Sequence, residues 1–327
     1  MASSPKPNPA PVLLTGASGQ VGIHVLSGLL GSGFEVLAPS RRVKSSQDLV
    51  HPSGSKVTWI NSLELHLDAG ASGSTPATLL ERQELRGIET LVSAGPIPFA
   101  LHCLDIFPEI RRVICLSTSS IITKAESPDP AERRQIQQIA QDERAVQESC
   151  TARNISLVVL RPTLIYGCGM DENISRMARF IQRFGFLPLA APAGGLRQPV
   201  HAGDLAALMV QWVESGFDRY LNTAVIGGST ITYRDMVEKV FQALGRKPRI
   251  LFLPPRMFTA CLGVARHFPG LKGLNPAMIL RQNQDLVFDD SSLRQIFDFS
   301  PRAFEPALAD FQLPVALRGL MPNKDAT

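Results

Sequence analysis

Short apolar runs alternate with longer stretches of mixed polarity through the first half of the chain. PVLL (11–14), FEVLA (34–38), KVTWI (56–60), ETLVSA (89–94), RVICLS (112–117) and SLVVL (156–160) read as buried strands, with RVICLS the fifth. Between the last two lies 131–150, where Ile136, Ile139, Ala140 and Val146 recur at near-helical spacing. Strand and helix in alternation predict an α/β fold, a Rossmann-like doubly wound parallel sheet over residues 12–168.

Beyond residue 168 the order loosens. A helix over 172–183 is followed by the Gly/Pro-rich LAAPAGGLRQP, a helix at 203–214, a strand at 220–226 and a helix at 233–244. The last is well marked: Thr232 can cap it, Met236, Val237, Val240, Phe241 and Leu244 form an apolar stripe, and Gly245 stops it. Residues 169–318 therefore read as a smaller mixed substrate-binding region, with 199–226 returning to the Rossmann domain. Residues 1–11 are expected to be a flexible tail and 319–327 a second tail.

Composition narrows the classes. A chain of 327 residues with 44% hydrophobic content can bury a large core. Its 33 basic and 29 acidic residues leave a net charge of +4, too mild and dispersed for a nucleic-acid surface. The five cysteines (Cys103, Cys115, Cys150, Cys168, Cys261) form no CxxC pair and no metal-ligand spacing, so no metal site and a reducing compartment are expected. MASSPKPNPAP has no apolar stretch, and no later segment has the roughly 18 uninterrupted apolar residues of a spanning helix. The expectation is a cytoplasmic protein with a small-molecule partner and no membrane partner, with homodimerisation left open.

The strongest chemical signal is LLTGASGQVGIHVL (13–26). Gly16, Gly19 and Gly22 follow a buried strand and lead into a helix: one permits the tight turn, the next lets backbone approach a pyrophosphate, and the third lets helix and sheet pack. The helix amino terminus offers N–H donors to phosphate. Ser18, Gln20 and Val21 complete the loop, and Ser93, Ala94 and Gly95 end the neighbouring strand. His24, inside the helix, reads as a packing or partly exposed residue and not as a catalyst.

The TGxxGxxG spacing resembles that of the short-chain dehydrogenase/reductase superfamily, in its extended and atypical members. RPTLIYG (161–167), PVHAGDLA (199–206) and FDFSPR (297–302) resemble segments of the NAD-dependent epimerase/dehydratase family, many of whose members act on nucleotide sugars. The resemblance spans most of residues 12–305 and implies a nicotinamide cofactor and a hydride moved to or from a sugar alcohol or carbonyl.

At the end of the second strand, where a carboxylate would bind ribose hydroxyls, the chain has Ser40, Arg41 and Arg42. Guanidinium groups suit a 2′-phosphate, so NADP is expected over NAD. Two solvated loop arginines are the alternative.

In the resembled family the RVICLS strand ends in two hydroxyls, here Ser117 and Thr118, the second assisting proton transfer. The family's general base, a tyrosine with a lysine four residues on, is missing. Tyr166, Tyr220 and Tyr233 are followed at that distance by Met170, Ala224 and Val237, and the expected positions fall near Gln135 and Ile139. Three readings stay open: an enzyme using Thr118 and Lys124, a catalytically silent NAD(P)H-binding regulatory or assembly protein, or an enzyme using Tyr166 with Lys124 merely solvated. Cys168 is a candidate thiol and, alternatively, a small packed residue.

Arg161, Arg197 and Arg281 lie in segments that in nucleotide-sugar enzymes surround the substrate diphosphate, and are the candidate substrate cations. Arg161 can instead be an internal structural arginine, and Arg281 a helix cap. His201 and Asp204 read as structural groups at a strand-to-helix corner. Gly203 stands where the family form has an acid, and Asp298 where it has a glycine.

Overall fold

The computed structural model describes residues 10–43, 47–62, 86–254, 257 and 281–321. Most of both expected tails, and Cys261, lie outside the described residues.

The apolar runs assemble into one eight-stranded sheet: β1 (Val12–Thr15), β2 (Val36–Ser40), β3 (Gln47–Val50), β4 (Lys56–Asn61), β5 (Thr90–Ser93), β6 (Arg112–Leu116), β7 (Ser156–Pro162) and, much later, β12 (Leu221–Val225). The spatial order is β12-β7-β6-β5-β1-β2-β4-β3. Every pairing is parallel except β3 with β4. β3 is the one strand of this sheet the sequence pattern did not reveal. Its QDLV alternates half-buried and exposed positions with no apolar run, as an edge strand can. Its presence makes RVICLS the sixth strand and not the fifth.

The sheet is covered on both faces. On one, α1 (Gly22–Gly31) and α6 (Ala202–Ser215) pack together over Leu14, Val92, Ile114 and Val158. On the other, α2 (Pro98–Ile106) and α4 (Pro130–Ala152) pack over Leu13, Leu91, Val113 and Val159. Alternate residues of each strand thus feed opposite cores, which is why the strands read as unbroken apolar runs. Asp129 caps α4 by accepting from the Ala131 N–H at 2.8 Å, and Pro130 occupies its first turn.

A third core lies outside the sheet. It joins α5 (Ile174–Phe184), α7 (Tyr233–Ala243), Tyr166 of β8 (Ile165–Tyr166), Leu189 of β9 (Leu187–Ala190), and Phe304. β9 pairs in parallel with β14 (Ile250–Leu253), and β8 in parallel with β11 (Val200–His201), while β10 (Leu196–Arg197) and β13 (Ile231–Thr232) pair antiparallel. Thr232 caps α7 by accepting from the Asp235 N–H at 3.0 Å. Between these ribbons the chain re-enters the main layer through α6 and β12, which adds itself to β7 at the sheet edge. No described helix is long and apolar enough to cross a membrane.

Candidate dinucleotide and substrate site

β1, β5 and β6 end side by side, and the loops leaving them build the site. The glycine loop between β1 and α1 is the tightest part. Gly16 has φ +71°, and a Cβ there would lie 2.5 Å from the Gly95 nitrogen; a Cβ on Gly22 would lie 2.0 Å from the Gly16 carbonyl oxygen. Any side chain at either position would therefore push backbone aside. The Gly19 N–H donates to the Gly16 carbonyl at 2.8 Å, closing the turn. Thr15 donates to the buried Ser93 hydroxyl at 2.9 Å, tying the ends of β1 and β5 together.

This loop fits a pyrophosphate. Its backbone is bare of side chains where close approach is needed, and the amino terminus of α1 has no side-chain cap and no acid in its first turn. Gln20 adds a buried amide nitrogen with no hydrogen-bond partner. Ala94 and Gly95 face Gly16 across the gap between the strands. Ser40 accepts from the Arg42 N–H at 3.2 Å, shaping the turn after β2 on which Arg41 and Arg42 are exposed.

The two hydroxyls after β6 have different jobs. Ser117 donates to the buried Glu143 at 2.6 Å. Thr118 accepts from the Ser120 N–H at 3.1 Å at the start of the short helix α3 (Ser120–Thr123), so its own O–H proton is left to donate.

Glu143 was missed by the sequence reasoning, and it organises the strand ends. Arg161 pairs with both its oxygens, and Asn222 of β12 donates to it at 2.9 Å. Burial opposes its ionisation, but the bonds from Arg161, Ser117 and Asn222 outweigh this and hold it below the usual carboxylate range. The signal was in the sequence: Glu143 sits in the apolar stripe of α4 between Ile136 and Val146.

A second carboxylate, Glu132, collects the other candidate cations. Lys124 reaches it at 2.9 Å, and Arg281 grips it with both guanidinium nitrogens at 2.7 and 3.0 Å. Burial again opposes the charge, and the hydrogen bonds from Arg281, Ser127 and Lys124 override it, holding Glu132 at about 2. Lys124 is thus an ion-paired ammonium, half-buried at the end of α3.

Arg197 is buried and spends its guanidinium on backbone: one nitrogen donates to the Leu196 and Gln284 carbonyls at 2.7 Å each, the other to the Arg281 carbonyl. Arg161, Arg197 and Arg281, expected as the substrate cations, are thus brought to different partners in the fold. Each is already bonded inside the protein, on Glu143, on carbonyls and on Glu132 respectively.

Tyr166, the other candidate for the chemistry, lies in the third core. It is 1% exposed, with its ring edge-on to His201 at 5.1 Å and Phe304 at 4.8 Å. Burial, reinforced by the Asp310 charge, pushes the phenol up, the reverse of what a phenolate base needs. His201 accepts from the Gly203 N–H at 3.0 Å and meets Asp310 at 3.3 Å, while Arg302 pairs with Asp204 at 2.7 Å. These contacts pin the chain after residue 301 against α6 and β11. Behind them His24 is half-buried, and burial with the charges of His201 and Arg302 lowers its pKa. Cys168 is buried, and its thiol is pushed up to about 11. No cluster of His, Cys, Asp and Glu among the described residues could hold a metal ion.

No family model matches the chain. Among curated proteins, a ceramide reductase from Caulobacter vibrioides (strain NA1000 / CB15N) is 24% identical over 256 residues, 76% of this chain and 75% of the relative. Among solved structures, UDP-N-acetylglucosamine 4-epimerase from Methanobrevibacter ruminantium M1, in complex with UDP-N-acetylmuramic acid, superimposes with TM-score 0.63 at 16% identity, covering 96% of this chain and 99% of that one. UDP-glucuronic acid 4-epimerase from Bacillus cereus, in complex with UDP-glucuronic acid and NAD, gives 0.63 at 14%, covering 95% and 100%. The chain therefore shares the Rossmann-type fold of these two structures over nearly its whole length.

Proposed function

We propose that the protein is a nicotinamide-dinucleotide-dependent oxidoreductase of the epimerase and reductase type, with a nucleotide sugar as its substrate class. The observation that carries the reading is the glycine cradle, whose backbone no side chain could enter without displacing Gly95 or Gly16. The nucleotide sugars in complex with the two neighbours support the substrate class, and the curated relative is a ceramide reductase.

In this reading Gly16, Gly19 and Gly22 and the amino terminus of α1 hold the pyrophosphate, with Gln20 beside them. The nicotinamide, when bound, supplies hydride donation or acceptance. Thr118 presents its O–H to the substrate oxygen where β6 ends, orienting it for transfer. Lys124, held on Glu132, contributes positive charge to the same strand end.

For the dinucleotide, two indications diverge. The Bacillus cereus neighbour is in complex with NAD, which favours NAD. The expectation of NADP rests on Arg41 and Arg42 of this chain, in place of a ribose-binding carboxylate.

A second reading, a silent dinucleotide-binding protein, has its own support. Gln135 is exposed and Ile139 is apolar at the family's base positions, and Lys124 is already paired. Titrating the protein with NADH and NADPH, then assaying UDP-sugars with the wild type and Thr118→Val, separates the readings. Turnover lost in Thr118→Val at unchanged dinucleotide affinity supports the enzyme. Binding without any turnover supports the silent protein, and no binding of either dinucleotide removes both.

A further inference from the structure

Away from the strand ends, the β9–β14 ribbon and the carboxyl end of α5 form a face of unusual composition. Phe184, Phe186 and Leu251 are 47%, 40% and 50% exposed. β9 and β14 run in parallel with Leu187 opposite Ile250 and Pro188 opposite Leu251. Alternation therefore puts Phe186, Pro188 and Leu251 on one side of the ribbon, and Leu187 and Ile250 on the side packed against the third core. Phe180 joins Phe186 and Phe184 with ring centroids 6.0 and 4.6 Å away, so the aromatic side chains form one group.

The charged residues of the two segments that build this face are all of one sign. Arg176, Arg179 and Arg183 come from α5, and Arg246, Lys247 and Arg249 from the turn before β14. Arg246 donates to the Ile181 and Gln182 carbonyls at 3.0 Å each, which brings that turn onto the end of α5. Arg183 lies over the Phe184 ring at 5.4 Å. Residues 174–187 and 239–254 contain no carboxylate, and Glu238 just before them is paired with Arg234 at 2.8 Å.

We infer that this face is a peripheral docking surface for an anionic lipid bilayer. Exposed phenylalanine and leucine ringed by arginine and lysine match the two layers of such a surface: apolar side chains enter the headgroup boundary while cations meet lipid phosphates. An acidic protein or a nucleic acid would satisfy the cations but would leave these apolar groups in water. A second copy of this chain would cover the apolar groups but would bring like charges together. The binding is interfacial and calls for no spanning segment.

The test is co-sedimentation of the full-length protein with phosphatidylcholine vesicles, with and without phosphatidylglycerol, at low and high salt. Anionic vesicles should bind it at least ten-fold more tightly than neutral ones, with most of the gain lost at 0.5 M salt. Lys247→Glu with Arg249→Glu should weaken binding by about 25-fold, from roughly five-fold per basic residue. Phe186→Ser with Leu251→Ser should weaken binding to anionic vesicles while leaving dinucleotide affinity and circular dichroism unchanged. Equal binding to both vesicle types, no binding to either, or indifference to both double variants would overturn the inference. So would self-association abolished by Phe186→Ser with Leu251→Ser in a protein that ignores vesicles.

Discussion

The loop after β1 and the loop after β6 leave the same edge of the same sheet, yet they are built on opposite principles. Around Gly16 and Gly22 the chain has removed side chains and left backbone, a buried Gln20 amide and a helix amino terminus facing outward. Around Ser117 and Lys124 it has added charge and then neutralised it, with Glu143 gathering one cation and a hydroxyl and Glu132 two cations and a hydroxyl. A site emptied of side chains is shaped for something brought from outside, whereas a site of mutually satisfied charges is shaped to hold the protein together. The first therefore carries the dinucleotide proposal more strongly than the second carries catalysis.

The comparison breaks most decisively at the glycine loop. Gly22→Val should abolish dinucleotide binding and destabilise the fold by about 3 kcal/mol, because its Cβ would meet the Gly16 carbonyl at 2.0 Å. Calorimetric titration and thermal melts measure both; a variant that still binds would show that the cradle does not contact the ligand.

Next in size is Glu143→Ala. It strands Arg161 and removes the acceptor for Ser117 and Asn222, at a cost of about 3 kcal/mol in denaturant unfolding, with dinucleotide affinity reduced less. If affinity falls more than stability, the two loops are not separable and the contrast between them fails.

Glu132→Gln should cost less, about 1–2 kcal/mol near neutral pH once solvent screening is allowed for. Its carboxyl is depressed to about 2 from an ordinary value of 4.5. The unfolded state therefore takes up the proton first as pH falls, and the stabilisation is full above about 4.5 and drains away toward 2. Unfolding curves across that window should show wild type and variant converging at the acid end; a gap that persists there would assign the loss to packing.

The smallest effect tests the cofactor. Arg41→Ala should weaken NADPH by several-fold and leave NADH unchanged if the guanidinium meets a 2′-phosphate. Equal small losses would favour NAD, in keeping with the Bacillus cereus neighbour.

Much of this was legible in the chain. Buried parallel strands are apolar on both faces, so β1, β2, β4, β5, β6 and β7 announced themselves as runs, and TGASGQVG marked its own place between strand and helix. β3 was not legible, because an edge strand of QDLV has no such run. The roles of the arginines were not legible either. Arg161, Arg197 and Arg281 look alike in sequence, and what each does depends on which carboxylate or carbonyl the fold brings to it.

The sequence by itself determined the layered α/β architecture and the glycine cradle, because both follow from local rules: side-chain alternation, helix caps and the absence of a Cβ. It also determined that no tyrosine–lysine pair of the family kind exists. Only the tertiary structure decided that Tyr166 is buried against His201, that Lys124 and Arg281 share Glu132 from positions more than a hundred residues apart, and that the turn before β14 lies on the carboxyl end of α5. Those are facts of long-range contact. Charge and burial act through distance in space, and one chain read in order gives distance only along itself.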